Sequence, residues 1–373
     1  MRYAAVRHTM RTTLGLALAA LTVSVAVPGS AQPVQSGLTK LLDAELSRFP
    51  ARAGVYVKHL MTGEEAAVNA DDAFSSASII KLTIMVRAFQ LVDQGKINLD
   101  ERVVIRRAEL RDGSGVLQYH DLGLAPTIRD LITEMVITSD NVATDLMLTK
   151  VGGVDSLNAW LSASGYTHLS MVARGHVYRR KILALVNPGF DSLTAEETTG
   201  LQYAQQGDAL FDLYASLFTG EKAKWVEMVR DPANRKILAD GRRRLPVQDH
   251  AYWLGDMNPR ETGRLLEAIE RGTMTSATSA AMMRTIMRRQ QAGARRIPHF
   301  LHVPVAHKTG DSPVIANDVG MVYARSGTVI IAFFTNGITG SLGEAEDMIG
   351  RVSRQIIDYF DGPAGSPDRP PSR

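Results

Sequence analysis

Apolar positions repeat at helical spacing from Leu38 to Phe49, which predicts an opening helix. The next stretch, "AGVYVKHLMTGEEAAVNA", alternates instead. Val55 and Val57 share one face, and Thr62-Gly63 supplies a turn, so a hairpin is expected. Phe74 to about Gly95 is apolar all round and reads as a buried helix. "APTIRDLITEMVI" is an amphipathic helix with Thr127 as N-cap and Asp130 three residues on. "NVATDLMLTKVGG" is another, closed by Gly152-Gly153. The pattern returns to strand in "HVPVAHKTG" and "NDVGMVYARSGTVIIAFFTNG", with a turn at Arg325-Ser326-Gly327. An amphipathic helix from Glu344 to Tyr359 follows. Residues 361–373, "DGPAGSPDRPPSR", are a disordered tail by composition.

Strands therefore lie near both ends, about 54–70 and 303–336, with helices from about 96 to 300. An α+β fold follows: the terminal strands form one antiparallel sheet flanked by helices, and the central helices make an all-α lobe. A cleft between the lobes is the natural place for a site.

One residue breaks the pattern. Lys81 stands among Ile79, Ile80, Leu82, Ile84, Met85 and Val86. Burying even a neutral polar group without partners costs about 2–7 kcal/mol, and an ammonium costs more unless it is paired or loses its proton. Either Lys81 reaches water along its stem, or it works with Ser78, three residues earlier on the same helical face.

Composition narrows the setting. The 373 residues are 45% hydrophobic and 22% charged, as in an ordinary globular protein, and no repeat is visible. Arg2, Arg7 and Arg11 precede the apolar run Leu14 to Val27, and Gly29-Ser30-Ala31 follows. Residues 1–31 thus read as a signal peptide, with a mature chain of 32–360 plus the tail. The run is short for a membrane span. Removing its three arginines takes the formal charge from +3 to zero, so nothing argues for nucleic-acid binding. The absence of cysteine excludes disulfides, thiolate metal sites and a cysteine nucleophile. A periplasmic or secreted monomer without a metal or other cofactor is expected.

Ser78-x-x-Lys81 is a weak signal alone. Two tripeptides strengthen it: Ser139-Asp140-Asn141 between two predicted helices, and Lys308-Thr309-Gly310 at the end of a strand. This trio resembles that of class A β-lactamases and penicillin-binding proteins. "GSGVLQ" (113–118), "TIRDLITEMVITSDNVATDLML", "VAHKTG", "ETGRLLEAIERG" and "MMRTIMRRQ" are similar to the same family, and the likeness runs from about Gly54 to Tyr359.

The resemblance implies a β-lactamase/transpeptidase-like fold and a set of roles. Ser78 is the nucleophile and a neutral Lys81 its base. Ser139 relays a proton to the leaving nitrogen. Lys308, with Thr309, Gly310 and Asp311, faces the substrate carboxylate, and Asn141 holds the substrate's side-chain amide. Backbone N–H groups of Ser78 and Asp311 form the oxyanion hole.

The chain also departs from the family. Leucine stands at the glutamate position of E-x-x-L-N, in "LALVN" (183–187), and "RGHVYRRK" before it has no carboxylate. Asp145 replaces an asparagine that supports that glutamate. It is either a helix residue with another partner or a substitute deacylation base. About 188–256 is an insertion of the kind that forms lids or binding elements. Within it Thr194 and Glu197 form a capping box, "KAKWVEMVRDPANRKILAD" reads as one helix, and "GRRRLP" (241–246) as a solvated basic loop. His299, His302 and His307 do not make a metal site, because strand residues three apart face opposite ways. Asp311 places a negative charge beside the carboxylate contact, and no arginine occupies the family's usual positions against that carboxylate.

Three functions are compatible with these letters. The first is a class A-type β-lactamase with a slow release step, acting on small-molecule β-lactams. The second is a D,D-peptidase acting on D-alanyl-D-alanine peptides of peptidoglycan. The third is a binding module for wall peptides. N-terminal sequencing of exported protein should return a start near Gln32; Met1 would refute the signal-peptide reading.

Overall fold

A computed structural model describes residues 36–362. The expected signal segment and the tail beyond Gly362 lie outside the described residues.

The hairpin and the C-terminal strands join in one antiparallel sheet, as the alternation predicts. Strands β1 (Arg52–His59), β2 (Glu65–Val68), β6 (Val305–Ser312), β7 (Ile315–Ala324) and β8 (Gly327–Asn336) lie in the order β2-β1-β8-β7-β6. Val55 pairs with Phe333 and Val57 with Ile331, while Tyr56 between them pairs with Ala332. The period-two pleat sends these sets to opposite faces. Val55, Val57, Ile331 and Phe333 join a core with α1 (Gly37–Leu46) and α12 (Leu342–Asp361). Tyr56, Ala332 and Phe334 join the larger core of the helical lobe. Helix α12 runs to Asp361, inside the predicted tail. The Asp361 carboxylate accepts from the Ser326 and Arg325 amides at 2.8 and 3.1 Å, which fastens the helix end to the β7–β8 turn.

Helix α2 (Lys81–Asp93) is the axis of the lobe. Every residue from Lys81 to Val86 is buried, which explains the all-round apolarity of its sequence. Around it stand α3 (Ile128–Ile137), α4 (Asn141–Lys150), α5 (Gly153–Ala163) and α11 (Ala277–Met287), while α10 (Pro259–Arg271) packs on the main sheet and on α11. Thr127 and Asp130 form the predicted capping box of α3. The lobe also contains a small sheet that its pattern did not predict. β3 (Phe74–Ser75), β4 (Ser170–Met171) and β5 (Gly255–Met257) pair in the order β3-β5-β4. Two or three residues are too few to show a period.

The inserted segment is helical. It follows α6 (Gly175–Leu183) and comprises α7 (Ala195–Gln206), α8 (Ala223–Arg230) and α9 (Pro232–Gln248) among short 3-10 turns. Thr194 and Glu197 close the expected capping box. The single helix expected over "KAKWVEMVRDPANRKILAD" is two, because Asp231 caps a new start with Pro232 in its first turn. "GRRRLP" is no solvated loop: it lies within α9, Gly241 and Pro246 are buried, and Arg242 is half-buried.

Candidate active site

The chain enters the site through a strained turn. Strand β3 delivers Ser75, whose hydroxyl donates to the Tyr252 carbonyl at 2.6 Å and whose carbonyl accepts from Asn317 Nδ2 at 2.8 Å. The Ser76 amide donates to the Gly255 carbonyl at 2.8 Å. Ala77 then takes φ +41°, which side-chain-bearing residues seldom adopt. A 3-10 turn over Ala77–Ile80 presents Ser78 to a cleft of about 170 Å³, and α2 begins at Lys81. The cleft is also lined by Ser114, Asn141, Arg179, Arg242, Trp253 and Asp311.

Lys81 is fully buried, and its ammonium does not reach water. The expected side-chain contact with Ser78 is not made: no hydrogen bond joins the two. Lys81 Nζ instead lies 2.6 Å from the Ser139 carbonyl, 3.0 Å from Asn141 Oδ1 and 3.2 Å from Ser139 Oγ. Three acceptors occupy all three ammonium donors. Ser139 Oγ also lies 3.0 Å from Lys308 Nζ, whose other acceptor is the Thr309 carbonyl at 2.8 Å. One hydroxyl therefore sits between two buried amines. Burial pushes the pKa of Lys81 well below the ordinary lysine value, and the positive charge of Lys308 pushes it further. Burial also lowers Lys308, to about 8, against the opposing pull of Asp311 and Asp318.

Ser139 holds its place by backbone strain. It stands between α3 and α4 at φ +58°. The next residue, Asp140, caps α4 through the Ala143 amide at 2.9 Å and accepts from the Leu117 amide at 2.8 Å. The "GSGVLQ" loop packs directly on it. A Cβ on Gly115, at φ +104°, would lie 2.2–2.4 Å from Asp140 atoms, so the loop needs glycine there. Asn141 Nδ2 donates to the Asp112 carbonyl at 2.8 Å, which fixes the amide that faces Lys81.

On β6, Thr309 is buried and Gly310 passes close to the Ser78 turn. A Cβ there would meet the Ser76 carbonyl at 3.0 Å, Ile79 Cγ1 at 3.1 Å and Ala77 Cβ at 3.2 Å. Asp311 is not a bare negative charge. Arg296, itself buried, pairs with it and holds Glu346 at 2.8 Å and the Asn317 carbonyl at 2.8 Å. Sequence reasoning missed Arg296. The signal was available, since an acid at a carboxylate-binding position calls for a nearby cation.

Asp145 is buried between two guanidiniums, with Arg111 Nε at 2.6 Å and Arg174 Nη1 at 3.7 Å. His176 lies close by. Its Nδ1 is buried without a hydrogen-bond partner, and burial pushes its pKa down against the pull of Asp145. The C-terminal histidines have separate partners, His299 with Asp347 and His307 with Asp318.

This sheet-and-lobe fold is that of the β-lactamase/transpeptidase-like proteins. The chain belongs to the beta-lactamase enzyme family, whose model matches residues 36–224 and 228–360. It is 26% identical over 138 residues to β-lactamase VEB-1 of Pseudomonas aeruginosa, over 36% of this chain and 46% of that one, so it spans about half the length of that curated relative. The solved β-lactamase of Sphaerobacter thermophilus shares the fold at a TM-score of 0.62 and 22% identity, covering 87% of this chain and 97% of its own. A leucine-to-glutamate variant of PBP-A, solved as an acyl-enzyme complex with penicillin G, does so at 0.62 and 21%, covering 87% and 95%.

The close approach at Gly310 yields a test. Gly310→Ala should cost about 1–3 kcal/mol of stability by overpacking. It should also slow covalent labelling by penicillin about ten- to a hundredfold, because it displaces the Ser78 turn. A denaturant melt and intact-mass kinetics read both effects.

Proposed function

We propose that this protein is an exported active-site-serine hydrolase of the class A β-lactamase type, acylated at Ser78 by β-lactam amide bonds and slow to release the acyl group. The observation that carries this reading is Ser139 Oγ held between the buried amines of Lys81 and Lys308, with Lys81 also bonded to Asn141, which lines the cleft together with Ser78.

Neutral Lys81 takes the proton of Ser78 as its oxygen attacks the carbonyl carbon. Its approach to Ser78 tightens when substrate is bound, as apo hydrogen bonds at such sites commonly do. The Ser139 hydroxyl gives its proton to the leaving nitrogen and regains one from Lys81, which holds the proton taken from Ser78 and lies 3.2 Å from Ser139 Oγ. Charged Lys308 holds Ser139 and faces the substrate carboxylate. Asn141 and the strand carrying Thr309, Gly310 and Asp311 position the substrate.

Release requires a base for water. Arg111 and Arg174 engage the Asp145 carboxylate in ion pairs, so it is already committed to partners within the fold. Asp145 is thus a structural partner in this reading and not the substitute base. The other carboxylates at the cleft face cations too: Asp311 faces Arg296, and Asp112 faces Arg179. The same observation favours a second reading, a D,D-peptidase of D-alanyl-D-alanine peptides that β-lactams inhibit slowly.

A chromogenic cephalosporin followed by colour and intact mass separates the readings. Continuous turnover supports the β-lactamase, and a stoichiometric burst with a lasting adduct supports the peptidase. No adduct supports a binding module and contradicts both. Ser78→Ala should abolish the adduct while the protein stays folded.

Acylation should follow a bell-shaped pH profile. It rises as Lys81 loses its proton at a depressed pKa and falls as Lys308 loses its own near 8. A rate still climbing beyond that point would contradict these roles.

A further inference from the structure

The cleft wall contributed by α6 and α9 carries more positive charge than its neighbours balance. Arg242, from the inserted helix α9, and Arg179, from α6, both line the cleft with Ser78. Arg242 Nη2 donates to Gln202 Oε1 at 2.7 Å and Gln205 Oε1 at 2.6 Å, both neutral acceptors on α7. Its Nε is buried without a hydrogen-bond partner, and among the described residues no carboxylate pairs with it. Arg179 lies flat over Trp253, 4.4 Å from the ring centre, with its Nε 3.1 Å from Asp112 Oδ2. That contact is ionic only, because Asp112 Oδ2 makes no hydrogen bond. Of the two guanidiniums, only Arg179 has a paired carboxylate, and that one is poorly aligned. Burial and then the charge of Arg179 push the pKa of Arg242 down, as expected for a cation with no counter-ion.

A half-buried guanidinium beside a like charge is costly unless an anion completes it. The planar fork of arginine matches a carboxylate in two hydrogen bonds. Position says which end of a substrate would bring that anion. A Cβ built on Gly113 would lie 2.7 Å from Arg179 Nη2 and 3.0 Å from Asn141 Nδ2, so these two groups meet over the same backbone. Asn141 is the residue assigned to the substrate's side-chain amide, on the acyl side of the scissile bond. The carboxylate contact on the leaving side belongs to Lys308 and β6.

We propose that Arg242 and Arg179 form an anion subsite for a carboxylate on the acyl portion of the substrate, so that the preferred amides carry a negative charge on both sides of the scissile bond. This rests on the reading of Ser78 and Asn141 given above, and deepens it by naming the substrate class.

The test uses benzylpenicillin and carbenicillin, which differ by one carboxylate on the acyl side chain. Non-covalent affinities are measured by calorimetry on the full mature chain carrying Ser78→Ala, so that binding is read without acylation. Carbenicillin should bind about tenfold more tightly at low salt, the effect of one charge-assisted contact. That preference should shrink as salt rises. It should fall to about onefold in Ser78→Ala/Arg242→Gln, and to an intermediate value with Arg242→Lys, which keeps the charge and loses the fork.

Equal affinities in the parent, no binding of either compound, or a preference that survives Arg242→Gln would each overturn the subsite. The salt series on the parent needs no further substitution, so an unfolded variant does not decide the matter. Intact-mass labelling of the unsubstituted serine by the same compounds reports separately on Ser78. Loss of that labelling with the preference intact would reject the nucleophile and leave the subsite standing.

Discussion

Two amines meet one hydroxyl where water does not reach. Lys81 and Lys308 are fully buried, and both converge on Ser139 Oγ. Two adjacent cations in an interior repel each other and lose their hydration, so the fold must supply acceptors and loosen at least one proton. Both responses are visible. Carbonyls of Ser139 and Thr309 and the amide of Asn141 accept from the amines, and burial depresses both pKa values. Much of the surrounding architecture serves this contact. Ala77 and Ser139 both hold positive φ, each costing of order 1–3 kcal/mol, and strain of that size persists only where neighbours over-determine it. Here the neighbours are the small β3-β5-β4 sheet, the Asp140 cap and the edge of β6.

The inserted helices are built into the cleft and do not hang from it. Tyr203 on α7 donates to Gln118 Oε1 at 3.0 Å, and Gln118 Nε2 donates to the Gly113 carbonyl at 2.6 Å. One hydrogen-bonded chain thus connects the insertion to the loop that backs Asn141. Asn336, at the end of β8, donates to the Pro246 carbonyl at 2.9 Å and ties α9 to the main sheet. Changes in α7 or α9 should therefore be felt at the site through a continuous path.

The sequence was most legible where a residue must satisfy a period or a cap. Val55 and Val57, the Thr127–Asp130 box and the Thr194–Glu197 box all stand as their spacing predicts. Lys81 stood out as a lysine in an apolar pattern, whereas Ser78, Ser139 and Lys308 could be nominated with it because three short motifs resemble those of class A β-lactamases. Their contacts could not be read, since Lys81 satisfies its donors on a loop 58 residues away. The same holds for Arg296, Arg179 and Arg242, each one arginine among many until the fold aims it at a partner. The "GRRRLP" run misled because charge clusters are usually solvated, whereas a helix turns one arginine of the three inward.

The central claim is that burial sets the proton affinity of these two amines. The most direct measurement is a pH titration of lysine side chains by NMR on protein labelled at lysine Cε, with Lys81→Arg and Lys308→Arg to assign the resonances. The account predicts one resonance with a midpoint near 8, lost in Lys308→Arg, and a second displaced well below ordinary lysines, lost in Lys81→Arg. Two resonances titrating with the surface lysines, at about 10.4, would contradict it.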